Sequence, residues 1–265
     1  MRPVRVNTTA RILADLPWRE ARESLRRPYR ITLPMVVLVA LVPLYIFIAE
    51  AIERGPLHAP AIPLDRMIPL VPLWSLVYGA LYLVLIVAPV FIVRDQELLQ
   101  RTVWSYLAVW LVAYACFYLY PTYAPRPDAV RGAGFGAWGL RLLYSLDPPF
   151  NCFPSLHVAH SFVSAFACHR VHRRLGGLLL AAAALVALST LFTKQHYVLD
   201  VLAGVAMAMG VNAALLRTYP RERVPELDRR IALPFGVGAV ALAAVVLASF
   251  YALYITGIAD RAFLD

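Results

Sequence analysis

Apolar residues along the chain gather into seven stretches, at about 33–52, 71–93, 103–120, 153–168, 175–193, 197–216 and 232–257, separated by short polar segments. Most approach the ~20 residues that an α-helix needs to cross the hydrocarbon of a bilayer. A lipid-exposed chain must satisfy its own backbone hydrogen bonds. The pattern therefore predicts an all-α polytopic membrane helix bundle with six core helices and a seventh, C-terminal span. The fourth stretch is the shortest, so it is expected either to begin in a wet cleft or to continue past its basic end. Pro43, Pro89 and Pro234 fall inside spans, which is tolerated where neighbouring helices re-satisfy the freed carbonyl.

Composition agrees. The chain is 61% hydrophobic and 15% charged, with mean hydropathy +0.66, where a soluble domain has about 25% charged residues. The net charge of +9 would on its own admit a nucleic-acid partner, but its distribution says otherwise. Lys and Arg number eight before the first span, two in 94–102, three in 169–174 and five in 217–230, against seven in the alternate loops. By the positive-inside rule the N-terminus is cytoplasmic and no nucleic acid is expected. Residues 1–30 are polar and arginine-rich, without the apolar core and cleavage site of a secretory signal. They read as a cytoplasmic basic segment whose residues 8–30 lie on the anionic inner leaflet and fix topology. The expected setting is a bacterial inner or plasma membrane. Cys116, Cys152 and Cys168 form no CxxC or zinc-like spacing and read as small apolar residues.

This orientation sorts the histidines. His169 and His172, in "CHRVHRR", fall at the inner end of the fourth span, as part of a basic headgroup-level cap. His157, His160 and His196 collect near the extracytoplasmic face. Three segments meet there: "YPTYAPRPD" (120–128), "FPSLHVAH" (153–160) and "TKQHYVLDVLAG" (193–204). If the sixth helix begins near His196, then His196 and Asp200 stand one turn apart on the same face. A carboxylate on one imidazole nitrogen fixes the tautomer and frees the other as nucleophile or base. An aspartate at a membrane helix end is costly unless partnered, which marks Asp200 as functional. Arg126 offers a fork of donors and Lys194 a point charge, both suited to a tetrahedral oxyanion. Ser155 and the amides that open the fourth helix add further donors. The set reads as a phosphate cradle flanked by two histidines, one able to attack phosphorus and the other to protonate the leaving oxygen.

These residues resemble the type 2 phosphatidic acid phosphatase superfamily, whose pattern is K-x6-RP, then PSGH, then SR-x5-H-x3-D. Arg126-Pro127 matches the first motif, Pro154, Ser155 and His157 the second, and Ser189, His196 and Asp200 the third. The resemblance runs from about residue 62 to 216, as the core of a single transmembrane catalytic domain over 31–265. It implies that His196 is the nucleophile, Asp200 its orienting group and His157 the general acid, with Arg126 and Ser155 holding phosphoryl oxygens. Three positions depart from the pattern: Leu119 for lysine, Leu156 for glycine and Thr190 for arginine. Lys194 stands where it can restore one cation, and Arg131 and Arg141 are further candidates. The "SLH … TKQHYVLDVLAG" form is similar to the inositol phosphorylceramide synthase branch, which hands the phosphoryl headgroup to an alcohol.

The expected function is phosphoryl transfer from a lipid-linked phosphate at the extracytoplasmic face, as a lipid phosphate phosphatase. The alternative is a phosphotransferase with an alcohol acceptor. A proton-coupled transporter is the non-enzymatic alternative, disfavoured because the ionisable cluster sits at one face and no repeat is evident. His160, one turn after His157, is read as a supporting residue, as is Ser189. His157, His160, His196 and Asp200 would also make a zinc set, but Lys194 and Arg126 would repel a divalent cation. No metal or cofactor is expected. "GAGFGAWG" (132–139) follows no strand and reads as a flexible outer loop, and "LDPPFN" (146–151) as a turn delivering the fourth helix. A Ser155–His–Asp hydrolase triad lacks its GxSxG elbow.

Overall fold

Membrane helices take their length from apolar runs and their ends from polar side chains that satisfy the terminal amides. A computed structural model of the protein describes residues 56–257 except Asp128, with several helical positions between 37 and 49 before them. The basic segment 1–30 and much of the first expected span lie outside the described residues. The elements are α1 (Pro63–Met67), α2 (Trp74–Ile92), α3 (Gln96–Leu119), α4 (Phe135–Leu146), α5 (Leu156–Val171), α6 (Arg173–Phe192), α7 (Val198–Val211) and α8 (Glu226–Thr256). A π turn, Asn212–Leu216, extends α7, and a 3-10 turn spans Arg221–Arg223. Five of these are long and apolar enough to cross a membrane: α2, α3, α6, α7 with its π turn, and α8. The described residues contain no strand, only two isolated bridges between loops.

The short fourth stretch becomes α5, the centre of the bundle. Its 16 residues rise about 24 Å at ~1.5 Å each, short of the ~30 Å hydrocarbon. Yet it is buried on nearly every side, from Leu156 to Val171, because α2, α3, α6 and α7 all pack around it. A helix covered all round belongs in a core, its buried serines returning their hydroxyls to its own carbonyls, and longer neighbours cover its ends. Ser155 opens α5, its Oγ accepting the Val158 amide at 3.4 Å. His172 closes it and at once opens α6, its Nδ1 accepting the Leu175 amide at 3.2 Å. The residue expected to sit in a headgroup cap is thus a hinge without a loop. Gly176 makes that corner feasible, since a Cβ there would lie 2.2 Å from His169 Cα.

Residues 135–146 correct the expectation of a flexible loop. "FGAWGLRLLYSL" is an amphipathic helix, α4, that buries Ala137, Trp138, Leu140 and Leu142. Its glycines serve close packing: a Cβ at Gly136 would meet the Leu73 backbone at 3.0 Å, and one at Gly139 the Ser75 Oγ at 2.9 Å. Phe135 and Trp138 stack on each other and contact Tyr254 of α8.

Candidate active site

Two close approaches bring the predicted segments together. α7 lies against the start of α5, where a Cβ on Gly204 would come 2.6 Å from the Ser155 carbonyl oxygen. At the same junction the Ser155 amide donates to the Asp200 carbonyl at 3.1 Å. The second approach is the turn between α6 and α7. The amides of Gln195 and His196 both donate to the Thr190 carbonyl, at 2.9 and 3.3 Å. Lys194 takes φ 55°, the left-handed conformation that reverses the chain. The Tyr144 hydroxyl, from α4, donates to the Thr193 carbonyl at 2.7 Å. Burial pushes that phenol up to about 12 despite the opposing charge of Arg126, so it stays a donor at neutral pH.

His196 therefore precedes α7 instead of lying on it, with Tyr197 as N-cap. Asp200 still comes beside His196, because it occupies the first turn and its Oδ2 accepts the Tyr197 amide at 2.8 Å, although His196 Nδ1 itself has no hydrogen-bond partner among the described residues. That oxygen also lies 3.5 Å from His196 Nδ1, at the outer limit of a hydrogen bond. Asp200 is wholly buried and His196 nearly so. An ion pair in such surroundings strengthens as the imidazole gains positive charge. The other nitrogen, His196 Nε2, faces His157 Nδ1 at 3.5 Å. His157 is in turn flanked edge-on by Tyr78 and Tyr82. The geometry is a buried carboxylate behind one imidazole and a second imidazole in front of it.

The cations are held by residues that sequence reasoning missed, through both side chains and main-chain carbonyls. Arg126 sits over the Tyr144 ring, its guanidinium 4.4 Å from the centroid. It donates to the Tyr144 carbonyl at 3.0 Å and to Gln195 Oε1. Thr122 delivers this loop, its Oγ1 accepting the Cys152 and Phe153 amides, each at 2.9 Å. Arg126 Nε and Gln195 Nε2 are buried donors with no partner among the described residues. Lys194 Nζ donates to the carbonyls of Asp65, at 3.1 Å, and Ile68, at 2.5 Å. Asp65 joins two helix starts, its carboxylate accepting the Ile62 amide of α1 and the Val198 amide of α7, both at 2.8 Å. The signal for it was the acidic residue in "IPLD", three positions after the α1 cap.

Ser155 is fully buried as the cap of α5, and Ser189 is buried within α6, donating to the Val186 carbonyl at 2.6 Å. His160 points away from His196, toward Trp110 and Tyr82. A cavity of about 440 Å³ is lined by Arg126, Lys194, His196, Tyr197 and Arg66. Arg131 and Arg141 are not among its lining residues, while Arg66 takes a place at it. Leu119, where the motif has lysine, is 78% exposed at the end of α3. On the far side of the histidine pair a second, apolar cavity of about 470 Å³ is lined by His157, His160 and residues of α2 and α3. His196 thus borders the polar space and His157 the apolar one.

Residues 62–214 match the PAP2 superfamily. Over 126 residues the chain is 24% identical to a PA-phosphatase related-family protein of Dictyostelium discoideum. That match covers 43% of this chain and 23% of the relative, so the chain spans only about a quarter of that protein's length. No solved structure matches.

Proposed function

The chain belongs to the PAP2 superfamily, and on that footing we propose that it transfers the phosphoryl group of a lipid-linked phosphate to water through a phosphohistidine. The observation that carries this reading is the Asp200–His196–His157 row between a polar and an apolar cavity. Asp200 holds the Nδ1 proton of His196 and leaves Nε2 as the attacking lone pair. A phosphoryl group takes the place of the direct contact between the two rings. His196 Nε2 forms a bond to phosphorus while the phosphorus–oxygen bond to the lipid breaks, and protonated His157 gives its proton to the departing lipid oxygen. Water then enters from the vacated side and loses a proton to His157. Its oxygen bonds phosphorus as the Nε2–phosphorus bond breaks, releasing inorganic phosphate.

Arg126, held by Tyr144 and Gln195, supplies fixed positive charge for the equatorial oxygens, aided by Lys194. The unmatched Arg126 Nε and Gln195 Nε2 donors fit the same anion. Ser155 contributes as the cap of α5, Ser189 from within α6, and His160 from behind His157.

The arginine distribution supports an extracytoplasmic position for this end of the bundle, and on this reading the lipid enters from the outer leaflet. The volume of the polar cavity favours a second reading, in which an alcohol-bearing headgroup occupies it and an alcohol replaces water as acceptor. The experiment is incubation of the purified protein with labelled phosphatidic acid. Free phosphate, inhibition by vanadate but not by chelator, and an acid-labile protein label absent in His196→Ala are the expected results. Full turnover by His196→Ala would refute the nucleophile, and a phosphorylated alcohol without free phosphate would establish the second reading.

A further inference from the structure

The apolar cavity has one polar wall that the proposed chemistry does not use. His160 Nε2 accepts the Trp110 indole N–H, and indole nitrogen is a donor only. Nε2 therefore carries no proton, and neutral imidazole must carry it on Nδ1. Nδ1 faces the Tyr82 hydroxyl at 3.3 Å, so His160 donates and the Tyr82 oxygen accepts. The hydroxyl proton of Tyr82 then has no acceptor in His160, and no other acceptor for it occurs among the described residues. What remains is the cavity that Tyr82, His157 and His160 line together.

This arrangement is rigid. Trp110 stacks on His160 at 5.5 Å between centroids, with Tyr106 edge-on at 5.4 Å. Tyr106 and Ser164 share a 2.6 Å hydrogen bond, and Ser164 donates to the His160 carbonyl at 2.8 Å. The Tyr82 ring meets His157 edge-on, 4.9 Å between centroids. The donor accordingly sits beside the residue assigned to the departing lipid oxygen. Below it the cavity is walled by Ile86, Val90, Leu99 and Val103. Leu99 and Trp110 stand eleven residues apart on α3, about 16 Å along its axis. These walls thus present one hydroxyl donor beside His157 and an aliphatic surface beyond it.

We propose that the Tyr82 hydroxyl donates a hydrogen bond to an acyl-ester carbonyl of the lipid, and so selects ester-linked lipids over their ether-linked counterparts. This rests on the reading that the lipid is displaced on the His157 side. Trp110 and His160 are positioning residues, which act by keeping the Tyr82 proton turned toward the cavity.

The test measures retention of tritiated dioleoylglycerol and of its dialkyl-ether analogue by the purified protein in detergent, together with phosphate release from phosphatidic acid. The native protein is expected to prefer the ester by about tenfold, the worth of one buried hydrogen bond. Tyr82→Phe should bring the ratio close to one. Trp110→Phe, which keeps the hydroxyl but frees the tautomer, should lower it as well; loss of packing alone would not discriminate ester from ether. A native ratio of one, an unchanged ratio in Tyr82→Phe, or no retention of either lipid would overturn the proposal. Ester preference without phosphate release would leave the Tyr82 assignment standing and refute the phosphatase reading.

Discussion

Replacement of Gly204 by alanine tests whether the α5–α7 contact sets the catalytic geometry. The new Cβ would stand 2.6 Å from the Ser155 carbonyl oxygen and 3.2 Å from Val158 Cβ, where ordinary contact begins at 3.4 Å. The nearer obstacle is backbone, so relief requires the helices to part by about 0.8 Å. That displacement acts on the 3.1 Å Ser155–Asp200 hydrogen bond and on the 3.5 Å gap between His157 and His196. Overpacking of this kind costs about 1–3 kcal/mol, against ~1 kcal/mol gained in helix propensity, so stability falls by at most about 2 kcal/mol. Activity is the more sensitive readout, because misplacement near 1 Å can lower a rate about 10²-fold. Gly210→Ala on the same helix is the control, since nothing lies within 4 Å of its Cβ position. Phosphate release and thermal unfolding would be measured on both variants. Equal rates for Gly204→Ala and Gly210→Ala would refute the idea that this contact sets the site.

Three further outcomes follow from the same geometry. Asp200→Asn removes the carboxylate behind His196 and should lower kcat by about 10²–10⁴-fold with KM little changed, as steady-state kinetics would show. Asp65→Ala leaves the Ile62 and Val198 amides unpaired and should cost about 1–3 kcal/mol at two helix starts, read as a lower unfolding temperature. Burial pushes the Cys152 thiol well above its ordinary range, with Asp200 and Asp147 adding to the effect. In a Cys116→Ser background the folded protein should resist maleimide at pH 8 and label only after denaturation, because the thiol stays protonated and enclosed.

The spans were legible because apolar length is what a membrane demands, and α2, α6 and α7 with its π turn begin and end within a few residues of the hydropathy pattern. α3 begins at Gln96, well before its apolar stretch, because Asp95 caps it by accepting the Leu98 amide at 2.9 Å. Hydropathy cannot see a cap. α4 was missed for a related reason: the four glycines of residues 132–139 read as flexibility, whereas the two inside the helix, Gly136 and Gly139, are spaces for α2. His196, Asp200 and His157 were readable from spacing, and they do meet. The fixing of Arg126 by Tyr144 and Gln195, and of Lys194 by α1 carbonyls, depends on contacts distant in the chain. No local pattern encodes those.

The turn that carries His196 is anchored through main-chain oxygens of Ser189, Thr190 and Thr193. The anchor of this turn is thus main chain, whereas the side chains of Lys194 and Gln195 reach outward, to the α1 carbonyls and to Arg126. On the proposed function, variation at these two positions would redistribute positive charge at the polar cavity, as Lys194 does here relative to the motif, while the main chain holds His196. The turn thus separates the placing of His196, a task of the backbone, from the lining of the polar cavity, a task of side chains open to single substitutions.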